Sequence, residues 1–231
     1  MKSTTFFTLC PATGKLQRGF CFLAFQALIL PSILALFNSL LPRPLSGGVI
    51  NLLYFLISFL MITILYRQYF ADSVKAAAKQ LPKILLWALV FFAVLRLCDY
   101  LLQQAIQSQF PEFVNLNDSA IGTLVENNFL PMAIGTVFLI PVTEELLYRT
   151  TVFRGLYSRS PAAAWIVSVL LFATVHVMNY AGHDKLVLLL CFVQYIPAGI
   201  CLAAAYRLSG SILAPILIHA AVNALGILAL R

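Results

Sequence analysis

Long apolar runs, broken at intervals by short polar stretches, dominate the 231-residue chain. Crossing a hydrocarbon core of ~30 Å takes about 20 mostly apolar residues. Seven segments reach or approach that length: 19–41, 49–66, 83–106, 129–153, 161–180, 186–206 and 211–230. Backbone groups in lipid must bond within their own segment, so each run is expected to be a helix. The apolar–polar alternation of a barrel strand is absent. The pattern predicts an all-α integral membrane protein, a bundle of about seven transmembrane helices around a polar intramembrane cavity. The first run is too long for a cleaved signal core and lacks a small-residue cleavage site. Pro42 and Pro44 close it, so it is expected to remain as a span. The 68–82 stretch, with Lys75 and Lys79 beside three alanines, predicts a short interfacial helix. The 110–128 segment predicts a further surface element.

Composition supports this class. Hydrophobic residues make up 61% of the chain and charged residues 10%. A soluble domain carries about 25% charged residues, because its surface must stay wet. A soluble globule and a disordered chain are therefore excluded. The net charge of +7 could suggest nucleic acid, but the basic residues flank apolar runs instead of clustering on a polar face, so no nucleic-acid partner is expected. Alternate loops hold ten and three Lys or Arg, which predicts a cytoplasmic amino terminus and a carboxyl terminus on the far side. The count places Lys2, Lys15, Arg18, Arg67, Lys75, Lys79, Lys83, Arg154, Arg159 and Arg207 inside, and Arg43, Lys185 and Arg231 outside. The five cysteines form no CxxC pair and read as free, buried thiols.

An ionisable group in mid-span costs about 2.5–3.5 kcal/mol on insertion scales, so such residues face the bundle interior and are functional suspects. They gather in the second half of the chain. The fourth span carries Glu144, Glu145, Tyr148 and Arg149. Glu145 and Arg149 are four apart and can pair on one helix face. Glu144 lies about 100° round and shares its face with Tyr148. One carboxylate is thus neutralised and the other aimed at a cavity. The fifth span carries Phe172 and His176; a lone histidine there is as readily a satisfied core residue as a ligand. The seventh span carries His219 and Asn223 on one face, a pair that could equally serve interhelical hydrogen bonding. Arg96 and Asp99 in the third span read as a structural ion pair or rim residues, with substrate contact the lesser alternative, and His183 and Asp184 as solvated outer-loop residues. The first two spans hold no ionisable interior residue and read as scaffold.

Together, Glu, His, His and Asn on three helices are the groups needed to hydrolyse an amide: a base for water and donors for the oxyanion. The pattern Glu144-Glu145-xxx-Arg149, Phe172-xxx-His176, His219-xxx-Asn223 resembles the three motifs of the CAAX-protease and bacteriocin-processing intramembrane protease family. Its relatives include the eukaryotic CAAX prenyl endopeptidase and bacterial abortive-infection proteins. The resemblance covers roughly residues 129–231, dividing the chain into a 1–128 scaffold and a 129–231 catalytic core. It implies a glutamate-dependent endopeptidase: Glu144 as the base, His176 helping to hold the water, His219 and Asn223 as oxyanion donors, with Glu145, Arg149, Tyr148 and Phe172 in support. The family is often labelled a metalloprotease. Glu144, His176 and His219 could supply the three ligands of a catalytic zinc, but no helical HExxH pair is present, so metal-free chemistry is preferred.

Counting from the expected inner edge, Glu144 and His219 lie ~12–15 Å deep and His176 ~22 Å deep. A shifted, tilted or broken helix is needed to reconcile them. The expected partners are a membrane-associated peptide or protein substrate and the bilayer itself. The substrate classes considered are prenylated CAAX tails, leader peptides and carboxyl-terminal sorting tails. A prokaryotic inner membrane is expected from the small size and the lack of an ER-type tail signal. Two other readings stand beside the protease. A proton or ion transporter also uses membrane Glu and His, although no inverted repeat is visible. A non-catalytic scaffold or immunity protein would keep the bundle and cut nothing.

Overall fold

The computed structural model describes residues 10–230; their regular elements are all helices, joined by short turns, without strands. Lys2 and Arg231, two of the charges counted for orientation, lie outside the described residues. The elements in chain order are α1 (Thr13–Ser39), α2 (Gly47–Leu65), α3 (Arg67–Ala78), α4 (Leu81–Gln109), α5 (Leu116–Tyr157), α6 (Pro161–Val177), α7 (Lys185–Ser209) and α8 (Leu213–Ala229). Six are long and apolar enough to cross a membrane: α1, α2, α4, α5, α7, and α6 with its one-turn 3₁₀ extension to Tyr180. The seventh apolar helix, α8, has 17 residues. The protein is thus an all-helical bundle of the expected kind. The short helix expected over 68–82 is α3.

Local signals set several boundaries. Ser46 caps α2, its hydroxyl accepting from the Val49 N–H. Asn115, Ser160 and Asp184 do the same for α5, α6 and α7. Each satisfies amides that the first turn of a helix leaves without partners. Gly210 ends α7 at φ 76°, a left-handed conformation that other residues rarely adopt.

The 110–128 segment is not a separate surface element. From Leu116 on, it is the first part of α5, continuous with the fourth span through a kink at Asn128 (φ −145°, ψ 46°). The kink is held from outside: Asn128 Oδ1 accepts from Ser46 Oγ at 2.6 Å. Gly48 lies against the Asn128 side chain, where a Cβ would collide with it. Pro131 follows, unable to donate to the helix ladder.

α5 is the central helix. About 44% of its most apolar stretch is buried, against 17–28% in the other spans, and it packs against α1, α2, α6 and α8. It contains two π-helical stretches, Gly135–Leu139 and Glu145–Arg154, and every residue of the second is buried. Arg154, expected in a cytoplasmic loop, is only 7% exposed. It lies inside α5, which runs on to Tyr157, so no loop begins at Arg154. The cysteines are free, but only Cys191 and Cys201 are buried; Cys98 is half-buried, and Cys10, ahead of α1, and Cys21, within it, are exposed.

Candidate active site

Three helices deliver the chemistry-bearing residues. Glu144 stands at the start of the second π stretch of α5. His176 lies in the last turn of α6 and His219 in the second turn of α8. The depth mismatch expected from loop counting disappears for two reasons. α5 and α6 form a hairpin whose turn is at 158–160, so Glu144 and His176 are nearly equidistant from it. The α7–α8 turn is itself inside the protein: Ser209 and Ser211 are buried, and Ile212 is wholly so. α8 therefore starts deep, and His219 reaches the site within two turns.

The geometry centres on one oxygen. Oε2 of Glu144 lies 3.9 Å from Nε2 of His176 and 3.9 Å from Nε2 of His219. It is buried, with no hydrogen-bond partner among the described residues. Such an orphaned oxygen is costly to bury without a ligand or water.

Neighbours orient both imidazoles. Nδ1 of His176 is 2.7 Å from the Phe172 carbonyl oxygen. A carbonyl can only accept, so Nδ1 carries the proton and Nε2 presents a lone pair in the neutral ring. Nδ1 of His219 is 2.9 Å from Oε1 of Glu145 and donates to it. Phe172 packs against the rings of His176, His219 and Tyr148, at centroid separations of 4.7, 5.9 and 5.4 Å.

Behind Glu144 lies the wholly buried pair expected from spacing. Nε of Arg149 donates to Oε2 of Glu145 at 2.8 Å. Glu145 thus joins Arg149 to His219, while Glu144 keeps one oxygen open. Two further contacts hold the guanidinium. Nη1 reaches Ser168 Oγ at 3.0 Å, and the charge lies 5.0 Å from the Phe172 ring centroid. Ser168 in turn donates to the Tyr148 carbonyl.

Asn223 is placed one turn beyond His219, where its Nδ2 donates to the Thr136 carbonyl at 2.9 Å. That carbonyl is freed by the first π stretch. The Ile140 N–H bonds to Gly135, and Pro141 has no N–H to offer. The Asn223 amide has a second N–H.

Several polar residues around the site were missed by sequence reasoning. Ser168 had a readable signal, since Ser168, Phe172 and His176 recur every four residues on one face of α6. Thr136, Tyr195, Gln26 and Tyr54 had none, being isolated in apolar runs. Gln26 is buried in a π stretch of α1 and lies near the Tyr54 phenol of α2, which is itself near enough to Glu144 to feel its charge. The first two spans therefore carry polar groups to the neighbourhood of the site. Arg96 and Asp99 pair at 3.3 Å, as spacing predicted. Asp184 caps α7, and His183 is exposed.

Zinc ligation by Glu144, His176 and His219 would require these side chains to draw closer together. Ligands about 2.1 Å from a tetrahedral ion lie roughly 3.4 Å from one another. The two Nε2–Oε2 separations are each 3.9 Å, and no group of three His, Cys, Asp or Glu among the described residues could hold a metal ion.

A family model described as type II CAAX prenyl endopeptidase Rce1-like matches residues 126–225. That stretch includes all three motifs, from Glu144 to Asn223. No curated protein and no solved structure matches the chain.

Proposed function

From the match of residues 126–225 to the CAAX-protease family, we propose that the protein is an intramembrane endopeptidase that hydrolyses a peptide bond of a membrane-associated substrate with a glutamate-activated water. The observation that carries this reading is the pair of equal 3.9 Å separations around the unpartnered Oε2 of Glu144. Two hydrogen bonds of about 2.8 Å meeting near a right angle span roughly 4 Å. One water therefore fits between Glu144 and either histidine.

Glu144 Oε2 and His176 Nε2 are both acceptors, so they take the two protons of that water and leave its lone pairs free. As the water oxygen attacks the peptide carbonyl carbon, Glu144 takes one proton. The carbonyl π electrons move to oxygen, forming a tetrahedral oxyanion. His219 and Asn223 are its donors. His219 already gives its Nδ1–H to Glu145, so donation from Nε2 requires the doubly protonated ring, flanked by two carboxylates. Asn223 has its second amide N–H for the same purpose. The intermediate collapses when Glu144 returns its proton to the leaving amine nitrogen and the C–N bond breaks. No metal takes part in any step.

The preferred substrate is a prenylated CAAX-type tail, since the family match names that class; leader and sorting peptides are the other candidates. The family match also favours this reading over a transporter. The test uses purified protein in liposomes with a farnesylated peptide ending in a CAAX sequence. Wild type should release the tail, and Glu144→Gln, which stays folded, should lose about 10²–10⁴-fold in turnover. Activity should survive a strong chelator. A fully active Glu144→Gln enzyme sinks the mechanism, and loss of activity on chelation with recovery on adding zinc sinks its metal-free form.

A further inference from the structure

Resting on the protease reading, we infer that Tyr195 is a positioning residue for His176, and that the first turn of α5, upstream of the family-matched segment, anchors it. Tyr195 belongs to α7 and makes none of the contacts around Glu144. Its ring stacks on the His176 imidazole, with centroids 4.3 Å apart and planes 25° from parallel. Phe172 contacts the same imidazole at 4.7 Å. Two aromatic neighbours and the Nδ1 bond to the Phe172 carbonyl together restrict ring flip and tilt, which sets where Nε2 points.

A stacked ring positions its neighbour only if it is itself held. The Tyr195 hydroxyl accepts from Asn117 Nδ2 at 3.0 Å and donates to Asp118 Oδ1 at 3.4 Å. The adjacent Gln194 accepts from Asn115 Nδ2 at 2.7 Å. Asn115 is the cap of α5, its Oδ1 accepting from the Asn117 and Asp118 amides. The cap that starts α5 thus also fastens two successive residues of α7, and one of them braces the imidazole of α6. Three helices are tied together beside the His176 imidazole.

Misplacing a reacting group by about 1 Å can cost 10²-fold in rate. Tyr195→Phe keeps the stacked ring and loses the anchor; it should lower kcat by only a few-fold. Tyr195→Leu removes the ring and should lower kcat by roughly 10- to 100-fold, with KM changed less than about twofold. Asn117→Ala should resemble Tyr195→Phe. A readout free of turnover accompanies these: acylation of His176 by diethyl pyrocarbonate, read by mass spectrometry against exposed His183. Labelling of His176 should rise several-fold in Tyr195→Leu and little in Tyr195→Phe. Unchanged kcat and unchanged labelling in Tyr195→Leu overturn the inference, as does a loss carried by KM alone. If wild type cleaves no peptide, the protease reading fails, and the labelling still decides whether Tyr195 holds His176.

Discussion

Removing Arg149 separates what the buried charge pair does for the fold from what it does for the site. Glu145 and Arg149 are both fully buried and joined at 2.8 Å. Breaking a buried pair by deleting one partner typically costs about 3–5 kcal/mol, because a charge is left uncompensated. Arg149→Met leaves the Glu145 carboxylate with the Nδ1–H of His219, so its cost should fall near the low end, about 3 kcal/mol. Glu145→Leu leaves the guanidinium with a serine hydroxyl and an aromatic face, and its cost should lie nearer 5 kcal/mol. The double variant buries no net charge and roughly conserves volume; it should lose only about 1–2 kcal/mol. The expected coupling is therefore several kcal/mol, well outside the additivity of independent sites. Reversible unfolding in mixed detergent and dodecyl sulfate micelles measures each corner of the cycle. Turnover should stay lost in the double variant even as stability returns, because His219 no longer has an acceptor for Nδ1. Additive single and double effects, or Arg149→Met within 1 kcal/mol of wild type, would refute the reasoning.

Two further outcomes follow from individual contacts. Asn223→Ala leaves the Thr136 carbonyl without its donor, and Pro141 cannot replace it, so stability should fall by about 1–3 kcal/mol along with activity; wild-type unfolding free energy in this variant argues against the assignment. Gly19 lies where a Cβ would run into the Tyr66 hydroxyl and the Thr151 side chain. Tyr66 is fully buried and bonded to Thr151 at 2.8 Å, so it cannot give way, and Gly19→Ala should cost about 1–3 kcal/mol in the same titration. An alanine variant as stable as wild type would mean that α1 can move off α5.

The helices, their number and their class were legible because lipid imposes one rule on every span: apolar outside, backbone bonded within. The Glu145–Arg149 pair was legible because it depends only on local spacing along one helix. So were the three motifs, since ionisable groups stand out against an apolar background. The arrangement of those motifs was not. Their depths disagreed when counted from loop charges, because Arg154 and the α7–α8 turn are buried and a charge or a turn in sequence carries no record of burial. The kink at Asn128, imposed by Ser46 and Gly48 from another helix, was equally invisible. Ser168 left a four-residue trace, but Tyr195 and Asn117 left none, because their partners lie about 78 positions away. Sequence alone determined a membrane bundle with costly groups on three helices. Only tertiary packing, which brings distant positions into contact, decided that two imidazoles flank one open carboxylate oxygen and that the other carboxylate is bound to Arg149 and His219.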